Sequence, residues 1–451
     1  MLSFKWTLKN LSLIKANINL KEINKLAIPA ILFNITEPII GLADIAFIGQ
    51  MEEDSTIAQG GVGLAVGLIS TLIWGFAQMR TSLSSIISRH FGQKKLDRIY
   101  TLIPQSIILT ILIGIIIALL TAVFYNQIAN LMYGDISART FRYSNDYFII
   151  RSFGLPISLL IALFFGIFRG YQNTSWAMVI SLIGGSVNII LDMILINGIS
   201  GYILAMGVSG AAIASVISQI VMLLLCVYFL YKKTPFNLKI KHKLNPYFKE
   251  MILIFWNMFL RTIVLNIVFI MANRYANKNG EIQLAAYTIA YNIWIFSSFF
   301  IDGFSNAGNA LAGKYLGAND KKTLKVLGYK LLKINIFISL ILSIFYTISY
   351  PFIGELFNDD IIVLSYFNAT FWLIIISQPF NSIAFTFDGI FKGLGKAVLL
   401  RNTLLIGTLF IFIPSLLILD YIGLGLSAIW VSMIAWMIFR GGVLLWKFSK
   451  L

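Results

Sequence analysis

The sequence has little of what an enzyme would need. Its single cysteine, Cys226, lies in an apolar run and leaves no internal disulfide to form. Its two histidines, His90 and His242, fall in basic loops, and no HExxH, paired Cys/His set or Ser-His dyad can be placed within a hydrophobic stretch, which argues against an integral membrane enzyme. Charged residues make up only 12% of the chain, crowded into short intervals. Segments of roughly 10 residues with alternating polarity, the mark of a strand barrel, are missing, and so are the amphipathic helices of a soluble chain. Met1 to Leu26 carries lysines throughout and has no small-residue cleavage site, so it reads as a cytoplasmic segment leading into a first span.

What is there is apolar. Hydrophobic residues make up 58% of the chain, arranged in stretches of about 20 residues, the length that crosses a bilayer. Twelve spans are expected, at 27–49, 60–87, 103–126, 147–169, 175–197, 203–231, 249–275, 283–311, 328–352, 366–391, 398–419 and 422–446. The fold class is therefore an all-α polytopic membrane protein. The net charge of +16 would suggest nucleic acid in a soluble chain, but its placement points to the membrane, with no nucleic-acid partner. Lys and Arg gather before the first span, at Arg89 to Arg98, at Lys232 to Lys249, at Lys314 to Lys333 and at the C-terminus, whereas the intervening turns carry Glu52, Glu53, Asp54, Glu355, Asp359, Asp360 and Asp420. This alternation is the positive-inside pattern and predicts cytoplasmic termini and basic loops.

The halves resemble each other. GIFRG at 166–170 matches GIFKG at 389–393, Pro156 matches Pro379, and the run Arg89 to Gly92 parallels Lys314 to Gly317. A duplication of six spans is expected, and because six is even, the copies are related by a pseudo-two-fold axis along the membrane normal. The predicted organisation is a cytoplasmic segment (1–26), an N-lobe (27–231), a cytoplasmic linker (232–248) and a C-lobe (249–451).

A charge at the bilayer centre costs about 2.5–3.5 kcal/mol on insertion scales, so each one asks for a reason. Glu37, Asp44, Arg80, Arg151, Asp192, Arg261, Asp302 and Asp388 all lie inside predicted spans. Any one of them taken singly can be a buried ion pair or face a water-filled vestibule. Asn188 and Asp192, four residues apart in NIILD, share a helix face. If that face meets Asp44, two carboxylates and an amide oxygen, with the hydroxyl of Ser215, make a hard-oxygen site for a small cation such as Na+, or for a proton. Asp192 marking the outer end of its helix beside Asn197 is the plainer alternative. Pro29 and Pro38, with Glu37, interrupt the first span and can bend it near Asp44, either as a static kink or as a switch. Arg261 paired with Asp302 or Asp388 would lock the C-terminal half.

LAIPAILFNITEPIIGLADIAFIGQM resembles the first helix of the multidrug and toxic compound extrusion (MATE) transporters, and its Glu-Pro followed by Leu-Ala-Asp resembles their DinF-like branch. Arg80 with RHFG, NIILD, GAAIASVISQ, FLRT, DGF, GKYLG and QPFNSIAFTFDGIFKG resemble family segments in the same order, over nearly the whole chain. The resemblance implies a secondary active multidrug exporter in the cytoplasmic (inner) membrane. Such a protein moves organic, mostly cationic or amphipathic small molecules in exchange for H+ or Na+ by alternating access, acts as a monomer among membrane lipids, and needs no cofactor beyond the coupling ion. Carried over, Asp44 is the coupling aspartate, Pro29 the bending proline, and Asn188 and Asp192 the cation ligands. Ser215 stands where many relatives have Thr, and Asp388 matches a tenth-helix aspartate of the branch. Ser82 and Ser85 replace expected glycines, and Asn309 an expected acid. A flippase for lipid-linked saccharides is the alternative, and it would need several cations in its cavity.

Overall fold

The computed structural model describes residues 18–51, 54–134, 136–199, 202–239 and 243–451, apart from the side chains of residues 37–42. The side chains of Glu37 and Pro38, His242, and the segment before Ile18 thus lie outside the described residues. The described chain is helical, and its only β pairing is an isolated bridge between Ile199 and Ile203. Runs of this apolarity have no water to satisfy their backbone, so they close their hydrogen bonds internally as helices.

Among the described residues, ten helical stretches are long and apolar enough to cross a bilayer as they stand, and a bent pair makes an eleventh. With the helix Leu20–Ile48 before them, these give the twelve expected spans. The second span is Ser55–Phe76 continued by Met79–Gly92, the third Leu102–Val123, the fifth Ser175–Leu195 and the sixth Gly207–Lys233. The seventh to tenth are Phe248–Lys278, Glu281–Gly317, Lys321–Phe357 and Ile361–Gly393, and the twelfth is Leu426–Ser449.

Besides the second span, broken between Phe76 and Met79, two others depart from regular helix. The fourth is Ala138–Ser152 plus Gly154–Gly170, bent by 52°, and it begins well before the predicted residue 147. Its polar first turns hid that start from a hydropathy reading, although Ser137 caps the helix, its hydroxyl accepting from the Thr140 amide at 3.2 Å. The eleventh span passes through a π turn at Thr408–Phe412, between Ala397–Gly407 and Ile413–Tyr421.

The chain divides into two compact units. One, the N-half unit, holds Leu32–Leu83 and Leu96–Ile252; the other, the C-half unit, holds the chain up to Ile31, Ser84–Lys95 and Leu253–Leu451. The core of the N-half unit gathers Ile48, Val62, Leu68, Phe148 and Leu159. That of the C-half unit gathers Tyr287, Trp294, Phe367, Phe371, Trp430 and Trp436. Outward faces are also apolar, as at Leu112, Ile116, Leu119, Ile341, Ile344 and Ile348, which suits contact with lipid.

The repeated glycines show what the duplication preserves. A Cβ on Gly166 would run into the backbone of Arg80, and one on Gly389 into the backbone of Ser305. In each unit this glycine lets the fourth span of the repeat lie against the second, backbone to backbone. Gly393 does the same against Asn309.

Candidate functional site

The first, fourth, fifth and sixth spans bring Asp44, Tyr147, Asp192 and Ser215 together inside the N-half unit. Asp44 is 3% exposed. Its Oδ2 accepts from the Tyr147 hydroxyl at 3.2 Å and from the Ser215 hydroxyl at 3.2 Å. The Asp192 carboxyl is close enough to Asp44 for the two charges to interact, and the Arg151 guanidinium is close enough to act electrostatically on both. Asn188 sits one turn before Asp192 on the same buried face. Asp44 Oδ1, both oxygens of Asp192 and both amide atoms of Asn188 have no hydrogen-bond partner among the described residues.

That combination constrains the chemistry. Two buried carboxylates facing one another repel and carry oxygens that nearby hydroxyls do not satisfy, a costly arrangement unless a proton or cation is shared. The available donors are carboxylate, amide and hydroxyl oxygens, a set that suits a hard cation or a proton and not a soft metal. Among the described residues no group of three or more His, Cys, Asp or Glu gathers to hold a metal.

Of the residues singled out from sequence, Asp44, Asp192 and Ser215 meet, with Asn188 on the same face as Asp192. Pro29 is buried in the part of the first helix that belongs to the C-half unit, while Asp44 belongs to the N-half unit. The division falls within that helix, between Ile31 and Leu32. Arg80 is half-buried just after the break in the second span, its backbone against Gly166. Tyr147 is the participant the sequence reading missed. Its spacing of four residues from Arg151, on one helix face, was the available signal.

The remaining candidates form a second cluster in the C-half unit. Asp388 accepts from Arg261 Nη2 at 2.6 Å through Oδ1 and from Lys392 Nζ at 2.7 Å through Oδ2, while Arg440 Nη2 stands 4.0 Å from Oδ1. Asp302 is bonded by the Asn306 amide at 3.1 Å and acts electrostatically on Lys392. Lys392 and Arg440 were not among the residues expected here.

Twelve apolar spans in two helical units, each with ionisable groups buried in its interior, define a polytopic membrane protein of the transporter type. The chain belongs to the MatE family, whose model matches residues 29–194 and 254–418, one stretch in each half. It is 25% identical to DNA damage-inducible protein F of Escherichia coli over 93% of this chain and 90% of that protein. It is 28% identical to the probable multidrug resistance protein NorM of Thermotoga maritima, over 93% of this chain and 90% of that one. Its fold matches a crystal structure of MATE in the bent conformation with a TM-score of 0.87 at 22% identity, covering 95% of both chains.

Proposed function

We propose that the protein is a secondary active exporter that moves organic, mostly cationic or amphipathic compounds out of the cell in exchange for H+ or Na+. The family and the T. maritima relative, named for multidrug resistance, support this reading. The observation that carries it is the buried pair Asp44 and Asp192 with its unsatisfied oxygens. A site that is costly when empty and relieved by one positive charge is a natural place for an ion to change the stability of one conformation over another.

In this reading Tyr147 and Ser215 hold Asp44 in a fixed rotamer by donating to one oxygen, leaving the other for the ion. Asn188 and Asp192 supply the remaining oxygens, and Arg151 offsets part of the negative charge. The coupling ion is the only non-protein group needed. The protein sits in the cytoplasmic membrane as a monomer, with its termini and basic loops on the cytoplasmic side, and performs no covalent chemistry. Pro29 lets the first helix bend as the ion comes and goes.

The test is efflux of a fluorescent organic cation from proteoliposomes, with sodium and proton gradients imposed separately on wild type and Asp44→Asn. Export under one gradient in wild type and none in the variant is expected. No export under either gradient, or full activity in the variant, overturns the reading. Three cations around Asp388 favour a second reading, a flippase for lipid-linked saccharides, which the same vesicles test with a labelled lipid-linked sugar.

A further inference from the structure

The Asp388 cluster has more positive than negative charge, and this excess lies inside the protein. Arg261, Lys392 and Arg440 converge on one carboxylate. Counting Asp302, which acts on Lys392 from nearby, three cations face two anions and one positive charge is left over. Burying an uncompensated cation is strongly unfavourable, comparable to the whole stability of many domains. Such an arrangement asks for an anion.

The unmet valences have one sign. Both oxygens of Asp388 are taken, by Arg261 and Lys392. Among the described residues Arg440 Nη2 and Arg261 Nε have no hydrogen-bond partner, and their residues are 2% and 6% exposed. Every unsatisfied atom among these four side chains is therefore a donor, and only an acceptor can complete them. Arg440 is also held in place: its guanidinium stacks over the Trp436 ring at 4.4 Å, and Nη1 contacts Met437 Sδ at 3.4 Å. A planar guanidinium fixed on an aromatic ring with one edge free is the geometry that receives a carboxylate or phosphate. Lys392, in the last turn of its span with its side chain 21% exposed, marks the side from which a ligand would reach the others.

We propose that Arg440, Arg261 and Lys392 form a binding site for the anionic group, carboxylate or phosphate, of a molecule the transporter handles, with Asp388 holding the cations in place until that group arrives. The proposal deepens the exporter reading and rests on it for its role. It extends the cargo from organic cations to compounds that carry a negative group.

The experiment uses the purified full chain in neutral detergent and reads binding by calorimetry and thermal shift. Phenyl phosphate is the probe, with benzyltrimethylammonium and benzyl alcohol as the cationic and neutral matches at constant ionic strength. Saturable binding of phenyl phosphate, weakened tenfold or more in Arg440→Met and in Lys392→Met and unchanged in Lys232→Met, is the expected result. The second variant, at a partly exposed position, keeps the test alive if the first does not fold. No saturable binding, or equal affinity in both variants, overturns the proposal. Repeating the titration in nanodiscs with and without phosphatidylglycerol separates the sources: competition assigns the site to an anionic lipid headgroup, and its absence to a soluble cargo. Cation efflux in the same preparation is read separately, so a failure of the exporter reading is distinguishable from a failure of the anion site.

Discussion

Asp388→Asn and Arg440→Met should have very unequal consequences, although each removes one member of the same buried cluster. Asp388 receives two short charge-assisted bonds, at 2.6 Å and 2.7 Å. Converting it to an amide leaves three buried cations facing one another. Stranding one partner of a buried ion pair costs about 3–5 kcal/mol, and here two close partners are stranded together. Arg440 stands at 4.0 Å from Asp388, beyond hydrogen-bond distance, while Arg261 repels it. Methionine in its place gives up the stacking on Trp436, worth up to about 2 kcal/mol when desolvated, and keeps most of the packing volume. Against that loss stands relief of a burial penalty of several kcal/mol for the surplus ion. The expected net effect of Arg440→Met, in buffer free of multivalent anions, is within about 1 kcal/mol of wild type, or stabilising. The two variants should therefore differ by about 2 kcal/mol or more, at least roughly thirtyfold in the unfolding equilibrium. Unfolding in mixed micelles, followed by tryptophan fluorescence, measures it. Equal destabilisation by both variants would refute the view that the cluster carries surplus positive charge.

Other consequences follow from single contacts. A Cβ on Gly92 would overlap the backbone of Lys314, and one on Gly317 the backbone of Arg89, so these repeat-related glycines cross each other reciprocally. Gly92→Ala and Gly317→Ala should each cost about 1–3 kcal/mol, with the double variant costing less than their sum because the same crossing opens once; thermal unfolding of all three checks this. Tyr147→Phe removes one of the two donors to Asp44 at a cost of about 1.5–3 kcal/mol, and should reduce ion-driven efflux more than it changes cargo binding. Asp320 caps the ninth span by accepting from the Thr323 hydroxyl at 2.5 Å and the Thr323 amide at 2.9 Å, and these bonds hold its carboxyl below the ordinary 3.8. Its contribution should be fully present above that value and lost as pH falls through the depressed folded value. Asp320→Ala should remove about 0.5–2 kcal/mol at neutral pH together with that acid dependence, as read by pH-resolved thermal melts.

The fold was legible because its signal is physical and redundant. Hydrophobic runs of bilayer length, basic and acidic intervals in alternation, and GIFRG repeated as GIFKG all carry the same message. The repeated glycine is conspicuous in sequence for the reason it matters in space, since only a residue without a side chain lets Gly166 and Gly389 touch a neighbouring backbone. Less was legible where local polarity misleads. The stretch ARTFRYSND lies before the predicted fourth span, which starts at Tyr147, yet it forms the first turns of a bent span. Lys392 and Arg440 were not singled out from the sequence, because only tertiary packing brings them beside Asp388. The π turn at Thr408–Phe412 was not anticipated, although Pro414 just beyond it, which has no backbone N–H to donate, is a signal for a break there.

At the centre lies the claim that movement of cargo and movement of an ion at Asp44 and Asp192 are one event. It is tested most directly in reverse, by loading vesicles with a fluorescent organic cation, imposing no ion gradient, and recording internal pH and sodium as the cation flows down its own gradient. Wild type should drive one ion the opposite way, and Asp44→Asn and Asp192→Asn should not. Cargo flux without any ion movement in wild type, or ion movement undiminished in both variants, would contradict it.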